Sequence, residues 1–509
     1  MIAGLGYAVL ALAAAAATVV GIYIHSKFVD ASQAEWLPTL TSIGCITLTL
    51  FCLILIPVDI YSAQQNGALS DFVFMLGYVF YLCILLVVFV MIPFAYFHFE
   101  ESGEEVSQYD RIFAGAKYTV FLLVFLVLLL VVGIFLKADM QWETKDEASE
   151  YLKEIIEDRS VVSYAVSFAL AVFAVLGSVI WCTYTAYGMS ALPVSFIKGK
   201  RRLVEEKYEV ESGLSSIREQ QRAVASKYPS SRAMSARDRD ALDDLQARER
   251  ALQMQASRLG DLNTTCNKIS EALKPFTLLI GVVLLVLSFL FVASMVYTSI
   301  LEALPSMCGA KCGFILNNYP YEKIPFGLNP IDWALFQSSK YFPLDFVLFG
   351  GLALYIFVCT LSGIRRMGIR FLWLKMYTVE AGATPPQGVL LLAALLACAV
   401  LSLSFQLVAI SPQYATWGSQ EYTTANGTME HCVAGADGCR MTELAKLSAQ
   451  MANINLSVGG MPVFGLLHYL AAWLFAAVWL VGTVVAFCTR QASNTYVLQE
   501  DYDEDLGAL

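Results

Sequence analysis

Charge is scarce in this chain. Lys, Arg, Asp and Glu together make up 15% of its 509 residues, where a soluble globular chain carries about 25%. Apolar residues take up the deficit at 57% of the chain, and the mean hydropathy is +0.60. That balance excludes a disordered polymer. It nearly excludes a soluble enzyme, whose surface could not absorb so many apolar side chains. Cations are scarcer than anions, 33 against 43, for a net charge of −10. No basic domain suited to nucleic acid is present. Twelve cysteines are too sparse at this length for a disulfide framework. Histidine occurs only at positions 25, 98, 431 and 468, with no two at zinc-ligand spacing. There is no Gly-x-x-x-x-Gly-Lys-Ser/Thr phosphate cradle and no Gly-x-Ser-x-Gly nucleophile elbow. No catalytic residue, metal site or cofactor is therefore expected, and any pumping needs another protein or a gradient.

What the chain has is long apolar runs. A membrane helix takes about 20 such residues. Nine stretches qualify, near 3–25, 38–60, 72–97, 117–136, 161–186, 276–301, 345–363, 387–410 and 462–488. Period-2 alternation is weak, which argues against a membrane barrel. Backbone polar groups in lipid must satisfy one another, so each run reads as a helix. The expected fold is all-α and polytopic, with nine transmembrane helices. Spans one to five occupy 1–198, a cytosolic helical hairpin 199–274, and spans six to nine 275–490. Outer loops at 302–343 and 411–461 and an acidic cytosolic tail at 491–509 complete the chain. The first run lacks a basic residue before it and is longer than a signal-peptide core, so it reads as a retained span.

Cation placement sets the expected orientation. With the N-terminus outside, 24 Lys and Arg fall on inner segments and nine on outer ones, which is the positive-inside pattern. Sixteen of the inner cations lie in the long 198–274 loop. The case therefore rests on clusters beside span ends, chiefly Lys198-Gly-Lys-Arg-Arg202 and Arg365-Arg366. Thiols and sequons give a second line. The outer loops carry Cys308, Cys312, Cys432 and Cys439, with sequons at Asn426-Gly-Thr428 and Asn455-Leu-Ser457. Paired thiols and glycosylation acceptors in one loop fit an oxidising, lumenal side. Of the three pairings that four cysteines allow, the two local ones are favoured because they close short loops.

In the inner loop, Leu203, Val210, Leu214, Ile217 and Val224 fall near a spacing of 3–4. The pattern resumes after Tyr228-Pro-Ser-Ser231 with Leu242, Leu245, Leu252 and Leu259. Two helices folded into a short antiparallel coiled coil account for it. Such an arm is either a solvated extension of spans five and six or a docking surface for a partner or a second protomer. Two acids lie at span ends, Asp59 after Pro57 and Asp345 after Pro343. Ionisable residues at membrane depth are functional candidates, and capping of the span ends is the plainer reading. Span five ends in Thr183-Tyr-Thr-Ala-Tyr-Gly-Met-Ser-Ala-Leu-Pro193. Its hydroxyls and rings, Tyr184 and Tyr187 among them, suit a polar cavity lining. Ala186, Gly188 and Ala191 equally suit tight helix packing.

The same segment, followed by Ile197-Lys-Gly199, resembles the limb-region-like membrane protein family. Further stretches agree in order along the chain: Pro57-Val-Asp59, Lys117-Tyr-Thr119, Ala236-Arg-Asp238, Pro343-Leu-Asp345, Gly363-Ile-Arg365, Pro412-Gln-Tyr414 and Gly418-Ser-Gln420. The resemblance implies a nine-span lysosomal membrane protein with a lumenal N-terminus and a cytosolic C-terminus. It implies work in moving cobalamin from lysosome to cytosol beside an ABC transporter of the D subfamily, with membrane lipid as its surroundings. Cobalamin enters as cargo, not as cofactor, and no binding residue is assigned to it. Two other functions stay open: a cell-surface or endosomal receptor for a protein ligand such as a lipocalin, and an adaptor working through 199–274.

Overall fold

The structure is a computed structural model. It describes residues 2–64, 68–101, 107–137, 159–198, 203–226, 242, 245, 249, 253, 274–303, 329–371, 374–423, 427, 429–432, 438–452, 454, 457–458 and 461–489. Cys308, Cys312, Asn426, Asn455 and the acidic tail lie outside them.

Among the described residues, nine helices are long and apolar enough to cross a membrane. The first four crossings are α1 (Ile2–Phe28), α2 (Trp36–Gln64), α3 (Ala68–Leu86) running through a π-turn at Val87–Met91 into α4 (Ile92–Glu100), and α5 (Gln108–Lys137). The fifth is α6 (Arg159–Ile180), continuing through a second π-turn at Trp181–Thr185 into α7 (Ala186–Lys198). The polar helix α8 (Leu203–Ser226) precedes the sixth crossing, α9 (Lys274–Ala303). A short helix α10 (Pro330–Ser338) precedes the seventh, α11 (Leu344–Met367), and a hairpin of β1 (Ile369–Phe371) and β2 (Leu374–Tyr377) follows it. The eighth crossing is α12 (Pro386–Ile410). After it come α13 (Pro412–Trp417), the hairpin β3 (Glu421–Thr423) and β4 (Met429–His431), and α14 (Glu443–Ala452). A third hairpin, β5 (Ser457–Val458) with β6 (Met461–Pro462), leads into the ninth crossing, α15 (Val463–Cys488). The chain is thus a nearly all-α polytopic membrane protein.

Two compact units form, residues 1–190 with 287–482, and residues 191–286 with 483–509. In the larger unit α12 is the central helix, with 78% of its span window buried, whereas α5 buries 17%. The composition of each explains its place. Along α12, Ala393, Ala397 and Ala399 alternate with Leu and Ser, and small residues let neighbours approach. On α5, Phe121, Leu128 and Val132 are exposed, as an apolar surface facing lipid should be. Aromatic contacts tie the neighbours together. Phe51 of α2 stacks on Phe80 of α3 at 4.5 Å, Phe89 meets Phe173 at 4.4 Å, and Trp181 stacks on Phe475 at 3.9 Å.

Span five runs past its expected end at 186 to Lys198, with Pro193 inside the helix. Proline lacks the N–H that would bond the carbonyl four residues back. That carbonyl belongs to Met189, and the Ser288 hydroxyl donates to it at 3.1 Å. The break in the helical ladder is repaired from outside, as membrane helices allow.

In the smaller unit Arg218 and Gln221 of α8 both reach the Glu249 carboxylate, at 2.9 and 3.0 Å. Most of the second arm of the expected coiled coil lies outside the described residues. The Lys198 ammonium donates to the carbonyls of Ala486 and Phe487 at 2.8 Å each. A cation is thereby placed on the negative end of α15.

Candidate functional site

A cluster of buried polar side chains of the larger unit lies at the end where residues 411–452 lie. Sequence-local signals place each of them. Asn329 caps α10, its side chain accepting from the N–H groups of Ile331 and Asp332, with Pro330 at the first helical position. Its amide also donates to the Ile410 carbonyl at 2.8 Å, fastening α10 to the end of α12. Asp332, in the first turn of α10, is buried. It accepts from the Ser411 hydroxyl and from the Tyr414 N–H, the latter at 3.2 Å. Burial pushes its carboxyl up to about 6, and the hydrogen bonds from Ser411 and Tyr414 oppose that rise.

Tyr414 carries the chain of contacts onward. Its hydroxyl donates to Asp345 at 2.8 Å, and its ring meets Phe336 and Phe349 edge-on at 5.8 and 5.5 Å. Burial raises the phenol well above its ordinary range, and the Asp345 carboxylate adds to the shift. Asp345 thus does more than open α11: it binds a tyrosine 69 residues away. Asp59 likewise does not cap its own helix. It accepts from the N–H groups of Glu443 and Leu444, at 3.2 and 2.9 Å, and so caps α14. Thr442 completes that cap, accepting from the Ala445 N–H at 3.2 Å while donating to the Ala415 carbonyl at 2.7 Å. Three buried carboxyls therefore join α2, α10, α11, α13 and α14. Beyond them, Cys432 and Cys439 are joined by a disulfide with a Cα–Cα distance of 5.7 Å. Gln420 brackets the same loop through the Arg440 backbone, at 2.8 and 2.9 Å.

Two cavities flank α14. The larger, about 240 Å³, is lined by Asp59, Cys52, Tyr81, Glu443, Lys446 and Gln450 among others. The smaller, about 70 Å³, includes Gln406, His468, Thr298 and Ser448 in its lining. Drug-sized ligands occupy roughly 300–1,000 Å³, so neither suits a large polar cargo. Among the described residues no group of three or more His, Cys, Asp and Glu could hold a metal ion.

Tyr184 is placed far from this seam. Its buried hydroxyl accepts the Arg370 N–H at 3.1 Å, tying the second π-turn to the β1–β2 hairpin. Tyr187 is half-buried and packs near Gly482, where a Cβ would lie 3.5 Å from its ring. The segment around them is a packing surface: a Cβ on Gly188 would overlap the Cys359 carbonyl, and one on Gly363 the Tyr184 carbonyl. Thr185 and Thr360 bond across this crossing at 2.8 Å.

Asp332, Ser411 and Tyr414 were not singled out as site residues from sequence. Asn329-Pro330-Ile-Asp332 is nonetheless a helix-start signature, with a capping residue, Pro at the first position and an acid in the first turn.

A profile described as LMBR1-like membrane protein matches residues 6–276. The chain belongs to the LMBR1-like membrane protein family. Its LMBR1-like relatives match almost end to end. The "Probable lysosomal cobalamin transporter" of Dictyostelium discoideum is 33% identical over 95% of each chain. A protein of the same description from Nematostella vectensis is 31% identical over 93% of this chain and 92% of its own. The "Lysosomal cobalamin transport escort protein LMBD1" of Mus musculus is 29% identical over 95% of this chain and 93% of its own. These relatives are named as transporters or escorts, not enzymes. No solved structure matches the chain.

Proposed function

We propose that this protein resides in the lysosomal membrane and supports the exit of cobalamin to the cytosol, as the membrane partner of an ABC transporter of the D subfamily. The observation that carries the reading is the near end-to-end match, at 33% identity over 95% of both chains, to a relative named for lysosomal cobalamin transport. Two features favour escort over conduction. The larger of the two cavities beside α14 holds about 240 Å³, too little for a corrinoid, and the sequence has no phosphate cradle to couple ATP.

In this reading the N-terminus and the 411–461 segment face the lumen, and 199–274 and the C-terminus face the cytosol. Asp59 and Asp345 hold the lumenal cap together, and neither Tyr184 nor Tyr187 touches cargo. Cys432–Cys439 is an oxidised lumenal pair, Cys308 and Cys312 form a second, and Asn426 and Asn455 are the glycan acceptors. Protease treatment of intact lysosomes cuts 199–274 and spares 411–461; the reverse pattern would overturn the orientation.

The functional test follows labelled cobalamin in cells lacking the gene. The label accumulates in lysosomes and cytosolic cofactor falls. Normal cytosolic cofactor without accumulation defeats the cobalamin reading. Accumulation with the ABC partner correctly delivered to lysosomes defeats the escort version and favours conduction.

A further inference from the structure

The larger cavity beside α14 exists where a side chain is missing. Val73, Gly77 and Tyr81 of α3 line it, and their spacing of four residues puts them on one helix face. Cys52, Leu55, Ile56 and Asp59 of α2 form another wall, again one face, two turns or roughly 10 Å long. A Cβ built on Gly77 would meet nothing within 4 Å. The seam between α2 and α3 therefore stays open at a position with room for a larger residue. Glu443, Leu444 and Leu447 of α14 adjoin the Asp59 end, and the exposed Lys446 and Gln450 carry the cavity to the surface.

Charge along this wall is unbalanced. Its ionised residues are Asp59, Glu443 and Lys446. The Lys446 ammonium already donates to Glu443 at 2.6 Å. Asp59 is 6% exposed, and among the described residues no cation lies within ion-pair distance of it. Its oxygens accept the Glu443 and Leu444 N–H groups, one each. A carboxylate has about four acceptor positions, so about two remain. Burying a carboxylate without a counter-charge is costly, and the cavity lies where that counter-charge is missing.

The rest of the lining shows what form the cation takes. Leu55, Ile56 and Val73 are buried apolar residues, which a bare metal ion, seeking several oxygen ligands, gains nothing by touching. An uncharged acyl chain would fill the apolar stripe and leave Asp59 against hydrocarbon. An anionic head would meet Asp59 with like charge, while Lys446 is engaged by Glu443. The volume, about 240 Å³, falls just below the range of drug-sized pockets and suits a single chain with a small head.

We propose that the cavity between α2, α3 and α14 binds a single-chain amphiphile with a primary ammonium head, the ammonium donating to Asp59 and the chain lying along Leu55, Ile56 and Val73. The site is separate from any cobalamin route and stands whether or not the cobalamin reading holds.

Equilibrium dialysis of radiolabelled octylammonium tests it at neutral pH, against the full-length protein in phosphatidylcholine nanodiscs with empty nanodiscs subtracted. Octylammonium binds saturably, at one site per chain. Octanol and octanoate each compete at least about tenfold less well, the worth of one hydrogen bond to a charged group. Pentylammonium, three methylenes shorter, competes about sixtyfold less well, at about fourfold per buried methylene. G77L keeps Asp59, fills the cavity and loses the binding, and D59N weakens it at least about tenfold. Octanol or octanoate competing as well as octylammonium overturns the proposal, as does sodium doing so. Undiminished binding in G77L, or the absence of saturable binding to the wild-type chain, overturns it too. Should the variants not fold, the ranking of the probes on the wild-type chain decides alone.

Discussion

The two ends of the larger unit treat charge in opposite ways. At one end Asp59, Asp332 and Asp345 are buried, each accepting from named N–H or hydroxyl donors. At the other, Arg365, Arg366, Arg370 and Lys375 are exposed. A carboxylate has two oxygens that can satisfy orphan helix N–H groups, so an acid can be enclosed and used as a fastener. Flexible cations at an interface instead keep their heads in water or on phosphates. The acid end is therefore where substitutions should damage the fold, and the four exposed cations are where they should leave the fold alone.

The sharpest break of this contrast is Asp59→Leu. It leaves the Glu443 and Leu444 N–H groups without their acceptor, and each buried orphan costs about 1–3 kcal/mol. A loss of about 3 kcal/mol is expected, read as a fall in the unfolding midpoint of the protein in neutral detergent micelles. Wild-type stability in this variant would mean that Asp59 is not the cap of α14.

Next comes pH. Burial holds the Asp332 carboxyl at about 6 in the folded state, above an unfolded value of roughly 3.9. The folded protein then binds this proton more tightly than the unfolded chain. The stabilisation is fully present below about pH 4 and is lost as pH rises through about 6, on the order of 3 kcal/mol in all. Unfolding midpoints across this window should decline for wild type and flatten for Asp332→Asn. Equal slopes for the two would remove Asp332 as the source.

Tyr414→Phe is smaller. It deletes one hydrogen bond to Asp345 and keeps the ring contacts, for about 1–2 kcal/mol. A double-mutant cycle with Asp345→Asn should show coupling between the two positions. Smallest of all, R365Q/R366Q should shift stability by less than about 0.5 kcal/mol in neutral lipid, as exposed substitutions do. A large loss there would make the cation end a structural seam too and dissolve the comparison.

How much of this was legible in the sequence follows the same divide. Lipid demands long apolar runs, and nine of them can be read directly. Span ends are harder. The expected end at 186 fell short because nothing local announces that Ser288 repairs the bond Pro193 breaks, 99 residues from the carbonyl it serves. Asp59 and Asp345 stood out as acids beside prolines, but their partners at Leu444 and Tyr414 are 385 and 69 residues distant. Asp332 escaped notice because its segment read as a loop, although the helix-start pattern around it is local. For Tyr184 the sequence left packing and cavity lining open. In the structure Gly188 lies against the Cys359 carbonyl, in a helix crossing that no periodicity displays.

The central claim is that this chain assists an ATP-driven partner and does not itself conduct cobalamin. Reconstitute the purified full-length protein in liposomes loaded with labelled cobalamin, alone and with the ABC transporter, and measure efflux. The account predicts no efflux from the chain alone, with or without ATP, and ATP-dependent efflux once the transporter is present. Efflux through this chain alone, without nucleotide, would contradict it.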